Sequence, residues 1–555
     1  MRKKFKEITK KFIANNISNI SEITNFLPEK RVMAFISALD AYSDEIENLA
    51  DKIEITEALK HWKIPVLFRL IIIFLRAVFR LNKLELEKIL INAENKVLID
   101  YLACITEYPY ISNEEWYNSK TIFEKYESII IELAWKIKDT YHEYIWDLFT
   151  ESYIENRKES AQYLPINVEE CLEHINFTKY YPEQIITWAN KYPDDLMLKT
   201  FFYMKLEMIP SVPLLNKRIN TYYEYKNRLI RHVGINLGFY SSSPKLDKLY
   251  KFYQNIDRTV LKNIIVSNAD KLIEAGNSNI LYLIGDSTTC LARKDDPDAP
   301  YIENQRQTLT RTHKYQTLTD GNGIPLYIIR RPGQEHDANG WLELKDTLKN
   351  VVLQARSLGK EVPFILLDAG YFSEVIIKFI RDELKCTPII DINPGNSVKL
   401  NKIKEHIEKI KQYWREIDKI NSEDMPNIQR IETEVLNEFG RLKEILTAVS
   451  SDGTEFEKLV AKLILKVGSE EYLQIYRNRS VIEGLFGLIK SCYYLLGRPN
   501  RVLPIKGENE VEIHGLLTII AMQFLALFNY KLLKEETNLL RSMYYIKLSE
   551  LKLYY

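Results

Sequence analysis

The chain has 555 residues, of which 46% are hydrophobic and 27% charged, and it contains only 19 glycines and 19 prolines. This composition predicts a globular protein and excludes a fibrous or disordered one. The 76 basic and 76 acidic residues cancel, so any attraction to nucleic acid or membrane must come from local patches.

The five cysteines, at positions 104, 171, 290, 386 and 492, lie at least 67 positions apart. This spacing excludes paired thiolates for zinc and a dense disulfide framework. The basic start, MRKKFKEITKKF, lacks the apolar core of a signal peptide. These features predict a protein of the reducing cytoplasm.

Apolar residues recur every three or four positions up to about residue 275, which predicts an all-helical N-terminal half. Two long apolar runs, 66–81 and 513–530, contain polar or charged side chains such as Arg69 and Gln523. A membrane span needs about 20 apolar residues, so both runs are predicted to be core helices, and no membrane partner is expected.

Charge is uneven within the helical half. Residues 199–262 hold twelve basic and four acidic side chains, an excess of +8 (12 − 4). Residues 1–198 are therefore predicted to form a helical region and 199–275 a basic, DNA-binding helical region.

One helix of the basic region is predicted to begin after Pro210, with Ser211 as its cap. Its inward positions are Val212, Leu215, Ile219 and Tyr222, and Asn216, Lys217 and Asn220 face outward. The candidates for DNA contact are Lys217, Arg218 and Asn220. Outward polar side chains on such a helix can reach base edges and phosphates. An ordinary amphipathic surface helix has the same pattern, and both interpretations stay open.

Short β-type runs begin at residue 280 and cover 280–284, 313–318, 324–329, 364–367 and 388–392. Asp320-Gly321-Asn322-Gly323 is a turn signal between the second and third runs, which predicts an antiparallel hairpin. Helical patterns at 342–358 and 374–384 alternate with the strands. The fold is thus predicted as α/β, a mixed sheet flanked by helices.

The predicted sheet domain is interrupted. It covers 276–396, gives way to a charged, mostly helical insertion at 397–470, and resumes at 471–534 before a C-terminal tail, 535–555.

Two acidic residues, Asp286 and Asp368, follow predicted strands. A carboxylate at the end of a buried strand lies at the sheet rim, where it can hold a divalent cation. Each could equally be a turn or N-cap residue. Asp391, at the end of the fifth run, is a candidate fourth ligand or an outer residue.

Four further acidic positions have simpler interpretations than a cation ligand. Asp337, together with His336, is most simply the cap and turn of the following helix, and participation in catalysis is the alternative. Asp295, Asp296 and Asp298 form an acidic loop that is predicted to be solvated.

The segment 471–492 has helical periodicity. At about 100° per residue, Tyr476, Arg479, Glu483 and Lys490 share one face and the apolar residues the other. The polar face is either a functional stripe or a solvated face supported by an Arg479–Glu483 pair.

Three motifs occur in order: Asp286-Ser287-Thr288, Asp368-x-Gly370-Tyr371 and Tyr476-x2-Arg479-x3-Glu483-x6-Lys490. Together they resemble the DDE transposases of the insertion-sequence-four family, whose YREK signature the third motif matches at every letter and spacing. The resemblance covers roughly 280–396 and 471–534. It departs in the insertion, which is commonly β-rich in the family. Family members place an insertion aromatic near a flipped base, and Trp414, the only tryptophan of this insertion, is the candidate for that role.

The resemblance implies an RNase H-like catalytic domain. Its catalytic residues would be Asp286, Asp368 and Glu483, holding two Mg²⁺ ions for which Mn²⁺ can substitute. Tyr476, Arg479 and Lys490 would contact phosphates of the element end. Two hard cations held by carboxylates can drive an in-line phosphoryl displacement.

The implied function is a DNA transposase that binds element ends and catalyses Mg²⁺-dependent cleavage and strand transfer, cut-and-paste through a hairpin intermediate. Its partners would be the terminal inverted repeats and target DNA, both double-stranded, and a second copy of the chain in a homodimeric synaptic complex. The location would be the cytoplasm of a prokaryote, at the nucleoid. The alternatives are another RNase H-like nuclease, such as a junction resolvase, and a non-catalytic DNA-binding derivative.

Overall fold

A computed structural model describes the chain except for residues 1–3, 17–28, 57–63, 82, 92–95, 107–110, 161–167, 174, 187–190, 208, 221, 225–229, 240–242, 277–278, 304–308, 421–424, 492–501 and 534–555. The described residues divide into two compact units, one up to Val260 and one from Leu261 onwards. The predicted tail, 535–555, lies outside the described residues.

Helices make up most of the first unit. They are α1 Lys4–Asn16, α2 Glu29–Ala41, α3 Ser43–Thr56, α4 Val66–Phe79, α5 Lys83–Ile91, α6 Lys96–Ile105, α7 Asn113–Lys125, α8 Glu127–Ser160, α9 Val168–Glu173, α10 Asp194–Leu206, α11 Val212–Ile219, α12 Val233–Leu237 and α13 Leu246–Gln254. Two 3₁₀ turns, Phe177–Tyr180 and Pro182–Gln184, precede α10. The prediction of a helical N-terminal region is confirmed.

Helix α4 is buried along almost its whole length, and its two arginines, Arg69 and Arg76, are buried with it. Arg76 Nε donates to Leu81 O at 2.8 Å, while Arg80, in the left-handed conformation that ends the helix, pairs with Asp195 at 2.9 Å. Buried charges are tolerated when such partners replace water. The prediction that 66–81 is a core helix is confirmed.

Helix α11 has the predicted amphipathic pattern. Val212, Leu215 and Ile219 are buried, while Lys217 and Asn220 are exposed. Arg218 is less available than expected, because its guanidinium lies 3.4 Å from the Tyr203 hydroxyl and 3.9 Å from the Glu207 carboxylate.

The basic region 199–275 is not helical throughout, which corrects the prediction. Strands β1 Tyr222–Glu224 and β2 Ile230–His232 pair antiparallel directly after α11. Tyr222, expected on the inward face of the helix, is therefore a strand residue. Three-residue strands are too short to show an alternating pattern, although Tyr and Ile favour them.

A mixed sheet forms the centre of the second unit. Its strands are β3 Tyr282–Leu291, β4 Tyr301–Glu303, β5 Leu309–Asp320, β6 Pro325–Pro332, β7 Phe364–Leu367 and β8 Thr387–Ile390. The spatial order is β6-β5-β3-β7-β8, with β4 beside the start of β5. Strand β5 is antiparallel to β3 and β6, whereas β7 is parallel to β3 and β8. The predicted hairpin, now β5–β6, and the predicted mixed sheet are confirmed.

The helices of the second unit lie before, between and after the strands in the chain. They are α14 Arg258–Glu274, which crosses the unit boundary, α15 Trp341–Ser357, α16 Glu374–Lys378, α17 Val398–Ile417, α18 Met425–Asp452, α19 Glu455–Val467, α20 Ser469–Arg477, α21 Ser480–Ser491 and α22 Glu508–Leu533. The region predicted as a helical insertion consists of α17, α18 and α19. The Ser397 side chain caps α17 and also bonds Glu457 at the start of α19.

Helix α22 is the one helix of the described residues that is long and apolar enough to cross a membrane, judged by length and composition alone. Its apolar stretch, Glu508–Phe528, is 89% buried within the fold. Gln523 Nε2 donates to Pro325 O at 3.0 Å, and Val511 O accepts from the Tyr315 hydroxyl at 2.7 Å. Helix α22 is therefore a core helix, as predicted.

We expect the stability of the first unit to depend on pH through Lys138. Its ammonium lies 2.8 Å from Ala77 O at the end of α4, and burial, with the Arg80 charge second, lowers its pKa to about 7. Between that value and the ordinary 10.5 the unfolded chain binds the proton and the folded chain does not, so stability rises with pH. Relative to Lys138→Met, the wild type should gain up to about 1.4 kcal/mol per pH unit from pH 7 to 10.

Urea unfolding of both proteins at several pH values measures this difference. A constant difference across the window would contradict the buried position of the ammonium.

Candidate active site

Asp286 lies in the middle of β3, not at its end as the sequence suggested. Pairing with β5 continues beyond it to Leu291, whereas the parallel pairing with β7 stops one residue earlier, at Gly285 opposite Leu367. The polar run after Asp286 hid this continuation, because threonines favour strands as well as turns. Asp286 is thus beyond the last paired residue on the β7 side, while on the β5 side it is still within the sheet.

Asp368 follows β7 directly and precedes a 3₁₀ turn, Ala369–Tyr371. Because Gly285 is in register with Leu367, the residues that follow them, Asp286 and Asp368, emerge side by side. Gly285 permits the close approach, since a Cβ there would lie 2.7 Å from a Leu367 methyl. The parallel register therefore brings the first two motif acids together.

The third motif is divided between two helices, which corrects the prediction of one continuous helix. Tyr476 is in α20, Arg479 is in the junction, and Glu483 and Lys490 are in α21. The junction has i→i+3 hydrogen bonds, including Arg479 N to Tyr476 O at 3.0 Å, which tighten the chain relative to an α-helix. As predicted, the opposite face is apolar, and Ile482, Leu485 and Ile489 are buried there.

One guanidinium connects the three motif acids. Arg479 Nη1 lies 2.7 Å from Asp286 Oδ2 and 3.8 Å from Asp368 Oδ1, and Nη2 lies 3.0 Å from Glu483 Oε1. The structure thus brings Asp286, Asp368 and Glu483 together around the side chain of Arg479. The alternative interpretation, a solvated face with an isolated Arg479–Glu483 pair, accounts for only one of these contacts.

Burial decreases from the sheet outwards. The Asp286 side chain is 10% exposed, Asp368 38% and Glu483 61%. Burial raises the pKa of Asp286 to about 6, although Arg479 and the Ser287 backbone N–H at 2.7 Å oppose this shift. Asp286 is the carboxylate that most needs a positive neighbour.

The two other residues of the third motif lie on either side of Arg479. Lys490 Nζ donates to Thr289 O of β3 at 3.1 Å, so both α21 and the junction before it contact that strand. The Tyr476 ring lies between two cations, 5.1 Å from Lys411 Nζ and 5.8 Å from the Arg479 guanidinium carbon. These are distances at which a ring face attracts positive charge.

The donor set suits a divalent cation, since Mg²⁺ and Mn²⁺ bind carboxylate oxygens. Within the described part of the chain, no three acidic, histidine or cysteine side chains are grouped closely enough to hold a metal ion as they stand. The reason is visible in the geometry: each carboxylate faces Arg479. The chemistry of the residues fits a cation, and the guanidinium now supplies the counter-charge.

Two other acidic positions, Asp296 and Asp337, differ from their sequence interpretation. Asp391 follows β8 and pairs with Lys411 at 3.3 Å, which leaves its predicted role as a fourth ligand or an outer residue untested. Asp296, predicted to be solvated, is fully buried and bonds His313 Nε2 at 2.9 Å. Asp337 does not cap α15, whose N-cap is Gly340, and its carboxylate lies beside the motif acids instead. The His-Asp dipeptide at 336–337 was the available signal for that position.

Residues 279–499 match the model of a family described as "Transposase DDE domain". This match supports a DDE transposase. It covers both the sheet with Asp286 and Asp368 and the helices with Arg479 and Glu483. Domains of this kind generally use divalent metals, and a transposase domain implies DNA as a partner. No curated protein and no solved structure matches the chain.

We expect Arg479→Met to lower stability in metal-free buffer and to increase the stabilisation given by Mg²⁺. The variant leaves Asp286 largely buried without its counter-charge, which costs about 1–3 kcal/mol. A divalent cation that binds the freed carboxylates should recover this cost. The measurement is the thermal midpoint with a chelator and with Mg²⁺, for the wild type and the variant.

Arg381→Met is the matched control, because Arg381 pairs with Asp382 at 2.6 Å on the surface. Equal Mg²⁺-dependent shifts in wild type, variant and control would show that Arg479 does not occupy the cation position.

Proposed function

We propose that the protein is a DNA transposase of the insertion-sequence-four type, which cleaves element ends and transfers them to target DNA. The observation that carries the proposal is the single guanidinium shared by Asp286, Asp368 and Glu483. These residues come from three separate segments, and only the fold brings them together.

The sheet order supports an RNase H-like catalytic domain. Strands β3, β5 and β6 lie side by side as an antiparallel meander, and two parallel strands, β7 and β8, extend the sheet from the other side of β3. The acids lie on β3, directly after its neighbour β7, and on a later helix. In such an arrangement the acids can project from one rim towards a bound nucleic acid.

Asp286, Asp368 and Glu483 would hold two Mg²⁺ ions, for which Mn²⁺ would substitute. When bound, such a pair supplies charge for both the attacking and the leaving oxygen of a phosphoryl displacement. The protein's own contribution is to place three carboxylate groups, whose oxygens are hard donors, at one rim of the sheet.

Arg479, Lys490 and Tyr476 would contact phosphates of the element end. Arg479 can turn to a phosphate when the carboxylates have another counter-charge, and its fork geometry suits two phosphate oxygens. Burial raises the pKa of Tyr476, so its hydroxyl stays protonated and can donate a hydrogen bond. These three side chains would hold the element end during nicking and in the sharply bent hairpin intermediate.

The helical first unit would recognise the terminal inverted repeats through its basic segment, with Lys217, Arg218 and Asn220 as candidate contacts. Lys217 and Asn220 are the exposed members of this set. A homodimer would hold two ends and the target DNA in one synaptic complex, in the cytoplasm at the nucleoid of a prokaryote.

We expect Asp286→Ala, Asp368→Ala and Glu483→Ala each to abolish Mg²⁺-dependent cleavage of end DNA while end binding persists, because each removes one cation ligand. A time course on labelled end DNA that separates nicked, hairpin and joined products measures this. Asp382→Asn, at an exposed carboxylate paired with Arg381, is the control and should cleave as the wild type does.

Cleavage near the wild-type rate by any of the three variants would remove that residue from the site. A wild-type protein that nicks DNA but never joins it to a target would be an RNase H-like nuclease and not a transposase.

We expect Lys217→Gln to weaken end binding and to reduce its salt dependence. Each lysine that neutralises a phosphate releases about 0.9 counterion, so the slope of log K against log salt should fall by about one. Lys136→Gln is the control, because Lys136 is paired with Glu45 at 3.0 Å and Glu132 at 3.1 Å. An unchanged slope for Lys217→Gln would place end recognition elsewhere.

A further inference from the structure

We propose that Asp337 and Lys314 form a charged clamp that holds the Asp286 strand and the Asp368 turn at the spacing the cation site requires. Asp337 is then a positioning residue, and the inference rests on the proposed function of that site. Neither residue belongs to the three motifs.

Asp337 lies in the segment between β6 and α15, four residues before the helix begins at Trp341. Its carboxylate therefore does not serve the helix terminus. In the same turn the His336 ring bonds the Ala338 N–H, so local turn geometry does not require the Asp337 side chain either.

The first carboxylate oxygen of Asp337 joins two strands. Oδ1 accepts from the Ser287 hydroxyl at 2.6 Å and from Lys314 Nζ at 3.0 Å. Ser287 directly follows Asp286 on β3, and Lys314 is on the neighbouring strand β5. Lys314 also donates to Glu335 O at 2.6 Å, which fixes the loop that carries Asp337.

The second oxygen faces the Asp368 turn. A Cβ added to Gly370 would lie 2.8 Å from Asp337 Oδ2, closer than side chains ordinarily approach. A larger residue two positions after Asp368 would therefore displace the carboxylate from this position. Gly370 therefore belongs to the second motif for a packing reason that the structure supplies.

A second bridge runs parallel to the first. Gln316 Nε2, also on β5, donates to Asp337 O at 3.0 Å and to the Tyr371 hydroxyl at 3.1 Å. The main chain of Asp337 is thus tied to the same turn that carries Asp368.

Charge explains why an acid is needed at this position. The Asp337 side chain is 21% exposed and that of Lys314 13%, so the pair is shielded from bulk water and its geometry is kept. Among the ion pairs of the described residues, Arg479 has none with Asp337. Asp337 acts on the site through Ser287 and the Gly370 turn, and residues that orient metal ligands in this way commonly change affinity by about 10–100-fold.

The experiment measures Mn²⁺ binding to the full-length protein by electron paramagnetic resonance, which reports both affinity and the number of ions. Asp337→Asn should bind the same number of ions as the wild type with an affinity about 10–100-fold weaker. Asp286→Asn should instead bind fewer ions. Asp382→Asn, at a paired surface carboxylate, is the matched control and should bind as the wild type does.

Two further variants separate positioning from folding. Gly370→Ala leaves every charged group in place but pushes the Asp337 carboxylate away, and it should weaken Mn²⁺ binding in the same direction. The double variant Asp337→Asn/Lys314→Met should bind no more weakly than the weaker of its single variants, because both act through one clamp. Thermal melts of each variant verify that it is folded.

Unchanged affinity in Asp337→Asn and Gly370→Ala, with a wild type that binds Mn²⁺ and cleaves end DNA, would overturn the clamp and leave the proposed function intact. Loss of one ion in Asp337→Asn would also overturn it, since Asp337 would then be a ligand itself. Additive losses in the double variant would show that the two residues act separately. A wild type that binds no Mn²⁺ would overturn both the clamp and the proposed cation site.

Discussion

The parallel register of β3 and β7 is the constraint on which the site depends. Gly285 opposes Leu367, so the next residue of each strand is an aspartate at the same rim. Gly285 leaves room for its neighbour on β7, because a Cβ there would lie 2.7 Å from a Leu367 methyl group. A slip of one residue would turn one aspartate to the opposite face of the sheet. The first two acids are therefore held by backbone hydrogen bonds of the core and not by flexible loops.

The third acid is added by a helix, and Arg479 is what aligns it. The junction between α20 and α21 places the guanidinium over Asp286 while Glu483, one turn later, reaches its other side. Lys490 then attaches the far end of α21 to β3. A site that relies on three negative groups needs positive charge to fold without a cation, and Arg479 provides it. The same positive charge is suited to a phosphate, which agrees with the second role proposed for Arg479 at a DNA end.

Much of the sheet could be predicted from sequence, because apolar runs of four to six residues bounded by turn residues have few other solutions. The hairpin at Asp320-Gly321-Asn322-Gly323 was predicted by its turn chemistry, and the convergence of Asp286, Asp368 and Glu483 was expected from motif order. The position of Asp286 within its strand was not predictable, since a polar run gives no burial signal. The short β1–β2 pair and the break before α21 were missed because both depend on a few hydrogen bonds and not on periodicity. Asp337 was misinterpreted as a helix cap because its partners, Ser287 and Lys314, are distant in sequence.

The central claim is that Asp286, Asp368 and Glu483 form one cation site that Arg479 occupies in the free protein. Anomalous diffraction from crystals of the protein grown with end DNA and Mn²⁺ tests it most directly. The account predicts two peaks about 3.5–4 Å apart, bound by oxygens of the three carboxylates, with the Arg479 guanidinium moved to a phosphate. Crystals without a peak between these carboxylates, with Arg479 still paired to all three beside bound DNA, would contradict it.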